Sequence, residues 1–376
     1  MLLSSEFGQR ISDLPKAIRR LLTNVPFMLL SFAMSFNQMF AIGITSTLTK
    51  FFESQLGMSS ETIAYLTGPI VLVGGGFGAI CGGALVGRWN LDFEGIMRLC
   101  MYNCCFSWFG VLAFLFSSPE STYATPEGYV GAPKPTSFNF GCNVDCNCTL
   151  SYVNPVCAAD AVVYLSPCLA GCRRELQLDR LKMYSDCSCV NGTLTKLAGV
   201  STERLLVEGV QATRSRCPVD CPLLLVYLLG VFLSLSSTFL NAAPATAATI
   251  RCVQPAERSL ALGIKTIIAR LVGSIPAPVI LGGIMDGMCL AWHRPCGSSG
   301  NCIAYQNEGM ARGMFYALVA MLSMSMLLFY LSLLAHRQRA RKREAAKAKQ
   351  APSVGPGTSA LRTTKETTDA SSPFPR

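Results

Sequence analysis

Residues 64–87 read AYLTGPIVLVGGGFGAICGGALVG, an apolar run of 24 residues without a charged side chain. A helix needs roughly 20 apolar residues to cross a hydrocarbon layer about 30 Å thick, so this run predicts a membrane-spanning helix. Its small residues recur every four positions on two tracks, which are Gly74, Gly78 and Gly82, and Gly75, Ala79, Gly83 and Gly87. Small residues at this spacing let two helix backbones approach closely in lipid. We therefore expect both tracks to pack against other helices.

Five further stretches of the chain have the same apolar character. Together with the first run they make six predicted spans, at about 25–48, 64–87, 97–117, 222–247, 260–288 and 313–335. The composition agrees, because 51% of the residues are hydrophobic and 14% are charged, whereas soluble domains carry roughly a quarter charged residues. The sequence therefore predicts an all-α membrane protein, with transmembrane helices 1–3 in residues 25–117 and helices 4–6 in residues 222–335.

Prolines are expected to interrupt the fourth and fifth predicted spans. Pro244 lies in the fourth span, and Pro276 and Pro278 lie in the fifth. Because proline has no N–H group to donate, it breaks the hydrogen-bond ladder of a helix. Membrane helices tolerate such breaks where they face protein or a watery cavity, and broken helices are common near the binding sites of transporters.

Basic residues near the ends of the spans predict the orientation in the membrane. With residues 1–24 inside as a cytoplasmic linker, fifteen Lys/Arg residues fall on the inner side and three on the outer side, namely Lys50, Arg294 and Arg312. We therefore expect both termini in the cytoplasm and a long extracellular loop at residues 118–221. The first span is not expected to be a cleaved signal, because no small-residue cleavage site follows a short apolar core.

The predicted extracellular loop is rich in cysteine. Ten cysteines lie in it, namely Cys142, Cys146, Cys148, Cys157, Cys168, Cys172, Cys187, Cys189, Cys217 and Cys221. Two more, Cys296 and Cys302, lie beyond the outer end of the fifth span. An extracellular location favours disulfides over the alternative of zinc ligation by the first three thiols. Disulfides are therefore expected at these twelve positions, and no metal site is expected.

Two acceptor sequences for N-glycosylation fall in the same loop. They are Asn147-Cys148-Thr149 and Asn191-Gly192-Thr193, and they predict modification at Asn147 and Asn191. Both the cysteines and the sequons agree with the orientation that the charges predict.

The composition excludes several classes of function. Residues 336–376 hold ten Lys/Arg and three Asp/Glu, so most of the net charge of +10 lies in this tail and not on a folded nucleic-acid-binding face. With only His293 and His336, the chain lacks a candidate base for nucleophilic hydrolysis. The glycines of residues 64–87 are not followed by the Gly-Lys-Ser/Thr of a phosphate loop. We expect no enzymatic activity, no cofactor and no nucleic-acid partner.

The basic tail at residues 336–376 has two interpretations. Its Lys/Arg-rich part, from His336 through Lys349, would attract anionic membrane lipid at about 1 kcal/mol per basic residue near the surface. The alternative is a simple topology signal that stops translocation. The stretch beyond Gln350 is rich in Pro, Ser, Thr and Gly, and we expect a disordered cytoplasmic tail.

Residues 136–190 resemble a Kazal-type domain. The resemblance rests on Pro155-Val156-Cys157, on Tyr164-Leu165-Ser166-Pro167-Cys168 and on the spacing of the cysteines around them. A Kazal-like module between membrane spans, together with Ala261-Leu262-Gly263-Ile264 and Arg270-Leu271-Val272-Gly273-Ser274-Ile275-Pro276, is similar to the organic anion transporting polypeptides of the major facilitator superfamily. The chain departs from the Kazal pattern at Ala158 and Ala159, where glycines are usual.

Members of that family have twelve spans, with the Kazal-like cysteines between the ninth and the tenth. Here the cysteine-rich loop lies between the third and fourth spans, so the chain resembles the carboxy-terminal half of such a transporter. The resemblance implies sodium-independent transport of amphipathic organic anions, such as steroid conjugates, thyroid hormones and prostaglandins, across the plasma membrane by alternating access. It also implies pairing with the missing amino-terminal half or with a full-length relative. The alternative is a membrane-anchored Kazal-like binding module, or a modulator, that transports nothing itself.

Five polar residues inside the spans are candidate substrate ligands, namely Asn37, Gln38, Asn241, Lys265 and Arg270. Ionisable groups within a bilayer are costly and mark functional sites. By resemblance, Arg270 lies in the helix that lines the substrate path and would bind a carboxylate or sulfate through its fork. Lys265 either borders the same cavity or extends to the cytoplasmic interface. The three amides either bind substrate or bridge two helices.

Overall fold

Six helical stretches in the computed structural model are long and apolar enough to cross a membrane. The structure describes residues 14–58, 60–116, 141–148, 154–178, 181–194, 209–214, 217, 223–292 and 302–350. The helices are α1 Leu14–Leu22, α2 Val25–Leu56, α3 Ser60–Trp89, α4 Phe93–Val111, α5 Leu223–Leu240, α6 Ala242–Cys252, α7 Arg258–Ile268, α8 Pro276–Gly287 and α9 Asn307–Gln350. The prediction of six spans is confirmed, and most of the helices extend beyond the predicted ends.

The fourth and fifth spans are each broken where a proline removes a hydrogen bond. α5 ends at Leu240 and α6 begins at Ala242. At this break, Pro244 has no N–H to donate to the carbonyl of Leu240. In the fifth span a π-helical segment, Ala269–Ser274, separates α7 from α8, which begins at Pro276. These breaks lie beside Pro244 and Pro276, as the sequence predicts.

Helix α5 lies against both α3 and α4 through glycines. A β-carbon on Gly78 would overlap the carbonyl oxygen of Ser236, and one on Gly82 would overlap the carbonyl oxygen of Leu240. On the other side of α5, a β-carbon on Gly110 of α4 would overlap the hydroxyl of Ser234. The glycines therefore set the distance between these backbones.

The second glycine track of α3 does not pack as expected. A β-carbon on Gly75 would meet the Phe239 ring at 3.3 Å, but one on Gly83 or Gly87 would have nothing within 4 Å. Within the described part of this chain, the prediction of packing is confirmed for the track of Gly74, Gly78 and Gly82 and wrong for Gly83 and Gly87. The physical reason is helical geometry, since only one face of α3 can touch α5.

Helix α2 is the most buried of the six spans and contacts α9 between Asn307 and Ser332. Ser325 of α9 donates to the carbonyl of Ala33 at 2.9 Å, and Ser332 donates to that of Pro26 at 2.9 Å. Near the other end of α2, Ser54 donates to Oδ1 of Asn307 at 2.7 Å. These bonds join the first and last spans.

Aromatic rings close the same end of the bundle. Phe51 packs against Phe114 with ring centroids 5.1 Å apart and against Tyr227 at 5.6 Å. All three side chains are buried, so α2, α5 and the 3₁₀ turn Leu112–Leu115 after α4 share one hydrophobic cluster.

The short helix α1 is tied to the loop that precedes α7. Arg20 forms an ion pair with the buried Glu257 at 3.0 Å and also donates to Oε1 of Gln254 at 3.0 Å. Asn24 donates to the carbonyl of Cys252 at 3.2 Å. The predicted linker therefore contains an ordered helix from Leu14 to Leu22.

A cysteine-rich module follows the third span, and its strands form an antiparallel sheet in the order β2-β1-β5-β4-β3. The strands are β1 Val156–Ala158, β2 Val163–Tyr164, β3 Cys172–Leu178, β4 Leu181–Cys187 and β5 Val210–Thr213. The module has a small core of its own around Val156, Tyr164 and Tyr184. Tyr164 donates to the carbonyl of Cys189 at 3.0 Å, and burial raises the pKa of Tyr164 to about 12.

Four disulfides join eight of the expected loop cysteines: Cys142–Cys189, Cys148–Cys168, Cys157–Cys217 and Cys172–Cys187. Cys146 has a free thiol, in contrast to the prediction. It lies in the tight 3₁₀ turn Val144–Cys146, between two cysteines whose partners are already taken. Cys221 and Cys296 lie outside the described residues.

A second, smaller sheet joins α8 to α9. It pairs β6 Cys289–Trp292 with β7 Cys302–Tyr305, and a disulfide connects Cys289 to Cys302. Cys302 is therefore paired as expected, but its partner Cys289 was not among the predicted disulfide cysteines. Residues 336–350 are helical, so the expectation of a disordered tail is wrong for the first part of residues 336–376. The reason is composition, because Ala, Arg, Lys and Glu are strong helix formers.

Candidate functional site

The π-helical break in the fifth span positions Arg270. The N–H of Ile275 donates to the carbonyl of Arg270 at 3.0 Å, five residues back, because Pro276 cannot donate in an ordinary α-helical register. The Arg270 side chain is exposed and makes no hydrogen bond or ion pair within the described part of the chain. A guanidinium with its donors uncommitted can bind a carboxylate or sulfate at two points.

Helix α2 crosses this break closely. A β-carbon on Gly273 would overlap the carbonyl oxygen of Ser35 and would lie 3.4 Å from the β-carbon of Gln38. Gln38 therefore lies against the π-helical segment at Gly273, which is three residues after Arg270. Asn37, the preceding residue of α2, is buried, and its Nδ2 has no hydrogen-bond partner among the described residues. A buried amide donor without a partner is costly and requires an explanation.

The structure places Lys265 and Asn241 in a different region. Lys265 is buried, at 9% exposure, and its Nζ donates to Oγ1 of Thr246 in α6 at 3.2 Å. Asn241 is fully buried at the break between α5 and α6, where it accepts from Nδ2 of Asn103 at 2.9 Å. Asn103 also donates to the carbonyl of Ser237. Asn241 thus bridges two helices, which is the alternative interpretation of that residue.

Sequence reasoning missed two residues of this polar group. Asn103 lies within an apolar helix and Thr246 lies two residues after Pro244. A lone amide inside an apolar span is the signal that could have identified Asn103, since such groups need a partner in lipid. The candidate ligands therefore divide into Asn37, Gln38 and Arg270 at the α2 crossing, and Asn241 and Lys265 elsewhere.

The candidate glycosylation sites differ in their local geometry. Asn147 is exposed in a left-handed conformation with φ of 46°, directly before the Cys148–Cys168 disulfide. Asn191 is exposed after Cys189. Thr149, the last residue of the first sequon, lies outside the described residues. Both modifications remain predictions.

Comparison with known protein families decides what this helical bundle is. Residues 3–310 match the sequence profile of the Organic Anion Transporter Polypeptide (OATP) family. The chain belongs to the organic anion transporter polypeptide family. The match includes five of the six spans in full and the whole cysteine-rich module.

Individual members of the organic anion transporter polypeptide family are similar over most of this chain. Solute carrier organic anion transporter family member 4A1 of Mus musculus is 35% identical over 329 residues, which are 86% of this chain and 44% of that protein. Member 4C1 of Homo sapiens is 33% identical over 309 residues, or 81% of the chain and 42% of the relative. Member 1B1 of Homo sapiens is 28% identical over 303 residues. The chain thus spans less than half the length of the relatives it matches.

Proposed function

We propose that this chain forms one side of a path for amphipathic organic anions across the plasma membrane. The observation that carries this proposal is Arg270, a guanidinium without a partner in the described residues, held at a π-helical break in a membrane-length helix. An unpaired cation within a span is costly unless it faces water or a ligand. Membership of the family supports an anion as that ligand.

The side chains at the α2 crossing would complete the anion site. Arg270 would hold the carboxylate or sulfate through two parallel N–H donors. The Nδ2 of Asn37 is a donor that no described residue uses, and Gln38 lies against the same segment. We infer that these amides bind the polar groups next to the charged head. Lys265 and Asn241 would serve the path only indirectly, by fixing the helices around it.

The proposed mechanism is alternating access by two six-helix halves of the major facilitator type. In the most apolar stretch of each span, 67% of residues are buried in α2 but only 17% in α3 and 17% in the fifth span. This difference supports a second half that covers α3 and the fifth span, either the amino-terminal half of a complete transporter or a full-length relative. Both termini would lie in the cytoplasm and the Kazal-like module outside.

The proposed cargo is the class named for the family, large organic anions such as steroid conjugates, thyroid hormones and prostaglandins, carried without sodium. A second candidate function is a membrane-anchored Kazal-like binding module that transports nothing. The observation that favours it is the separate core of the module, closed by four disulfides.

The test is uptake of a tritiated steroid sulfate into cells, with surface delivery measured by biotinylation. The chain is expressed alone and together with the amino-terminal half of the mouse member 4A1, in sodium and in choline medium. We expect saturable uptake in at least one pairing, and Arg270→Ala should lower it about tenfold or more, because a charge-assisted hydrogen bond contributes about 1.5–3 kcal/mol. Arg270→Lys should retain part of the uptake.

The matched control is Arg312→Ala, which removes an exposed arginine that is ion-paired with Glu308 at 2.5 Å. It should leave uptake unchanged. Equal uptake by Arg270→Ala and the parent chain would remove Arg270 from the path. Surface delivery without uptake in either pairing would refute transport and leave the binding module as the function.

A further inference from the structure

The cysteine-rich module contains a cavity that transport across the membrane does not explain. Its volume is about 500 Å³, and it lies beside β3, the strand at the edge of the sheet. Residues of β3 and β4, the turn at Ser166 and Pro167, and Arg214 after β5 line it. Cavities of roughly 300–1,000 Å³ hold drug-sized molecules, so the volume fits one small ligand.

The charged residues that line this cavity are mainly cationic. They are Arg173, Arg174, Lys182 and Arg214, and Glu175 is the one carboxylate in the described lining. Lys182 donates to Glu175 at 2.5 Å, so this pair cancels its own charge. Among the described residues of the lining, three arginines then remain without an opposing carboxylate.

The arginines keep most of their hydrogen-bond donors available. Arg214 uses Nε to donate to Oδ1 of Asn154 at 2.9 Å, which leaves its terminal nitrogens uncommitted. Arg173 and Arg174 are exposed and make no hydrogen bond or ion pair in the part of the chain that the structure describes. A guanidinium has five N–H donors in a planar fork that matches carboxylate and sulfate.

Electrostatics favours an anion here for a second reason. Arg214 lies close enough to Lys182 to oppose the increase in the pKa of Lys182 that its hydrogen bond to Glu175 produces. The described part of the lining therefore holds four cations near one another and only one carboxylate. Polar side chains of Asn154 and Ser166 also line the cavity and can orient a bound group.

We propose that this cavity is a binding site for a small organic anion that carries a sulfate or carboxylate group, separate from the membrane path at Arg270. Arg173 and Arg214 bind the anionic group, because they share the face of the sheet that carries Glu175 and Lys182, whereas Arg174 starts on the opposite face. The remaining volume holds the body of the molecule. The site requires no transport, so it stands even if the chain moves nothing across the membrane.

The experiment measures binding of tritiated estrone sulfate to the full chain in lipid nanodiscs by scintillation proximity. The background is Arg270→Ala, which removes the candidate membrane site. In that background we expect saturable binding, lowered about tenfold or more by Arg173→Gln combined with Arg214→Gln. Arg312→Gln, a change of charge at another exposed arginine, should leave the affinity unaltered. Tritiated estrone, which lacks the sulfate, should not bind saturably.

Three outcomes would overturn the proposal: no saturable binding in the Arg270→Ala background, equal affinity in the double variant, or equal binding of estrone. A count of free thiols without reductant shows whether the double variant keeps its disulfides. Arg214→Lys, which retains the charge but loses the fork, should show an intermediate affinity if the module folds normally.

Discussion

Helices α2 and α3 are neighbours of similar length and hydropathy, yet they have opposite environments. They contain 32 and 30 residues, and their most apolar stretches have mean hydropathies of 1.6 and 2.0. Two thirds of that stretch is buried in α2, compared with 17% in α3. Hydropathy therefore identifies a span but does not say what the span touches, because lipid and a protein interior are equally apolar solvents.

The two helices also make different kinds of contact. In α2, the hydroxyl of Ser31 donates to the carbonyl of Phe27 at 2.8 Å and that of Ser35 donates to the carbonyl of Ser31 at 2.9 Å. Both buried hydroxyls are therefore satisfied within their own helix. The contacts of α2 with α9 include hydrogen bonds to backbone carbonyls, whereas α3 meets α5 through Gly78 and Gly82 against carbonyl oxygens. In α3 one narrow glycine face carries the packing.

The largest effect should come from filling that glycine face. Gly78→Leu would drive a side chain into the backbone of Ser236, and overpacking of this kind costs about 1–3 kcal/mol or more. We expect early thermal unfolding in fluorescence-detected size exclusion and loss of surface delivery.

Gly83→Leu is the control on the same helix, since a β-carbon there meets nothing within 4 Å. It should unfold at the same temperature as the parent chain when expressed alone. Equal destabilisation by both substitutions would contradict the contrast between the two faces of α3.

The open face of α3 provides a second prediction, which rests on the proposed pairing of two halves. If a second half covers this face, Gly83→Leu should reduce co-purification with the amino-terminal half of the mouse member 4A1 several-fold, because the added side chain would separate the helices. The chain alone should remain stable. Unaltered co-purification would show that the second half does not cover Gly83.

The smallest expected effect concerns the polar contacts of α2. Ser325→Ala removes the hydrogen bond to Ala33 and should cost about 0.6 kcal/mol, the average for such bonds between membrane helices. Thr266→Ala is the matched control, because Thr266 is exposed and its hydroxyl returns to Leu262 of its own helix. Thermal unfolding of both variants in one detergent checks the difference. A larger decrease of the unfolding temperature in Thr266→Ala than in Ser325→Ala would show that the hydrogen bond between α9 and α2 does not contribute to stability.

Sequence reasoning predicted the features that depend on local chemistry. The spans follow from hydropathy, and the breaks near Pro244 and Pro276 agree with the missing N–H of proline. Pro69 lies inside the continuous helix α3, so a proline alone does not decide where a span breaks. The face of α3 that packs, the Cys289–Cys302 pairing and the burial of Lys265 against Thr246 depend on which segments meet in space. No local pattern carries that information, because several partners satisfy the same spacing.

The candidate site shows the same division. The sequence marks Arg270 as a candidate ligand, because an arginine is rare in an apolar span. Its position in a π-helical turn depends on Pro276, which changes the hydrogen bonding of the preceding residues. Asn241 has the same residue type as Asn37, yet one amide is used between helices and the other keeps an unpartnered donor. Only the packing distinguishes them.

The hairpin of β6 and β7 has a mechanical consequence for the broken fifth span. Its disulfide and the hydrogen bond from the N–H of Gln306 to the carbonyl of Met288, at 2.9 Å, fasten the end of α8 to the start of α9. That end of the span cannot swing away from the last helix. If transport bends the span at residues 269–274, α7 would therefore move relative to α8, which stays with the last helix.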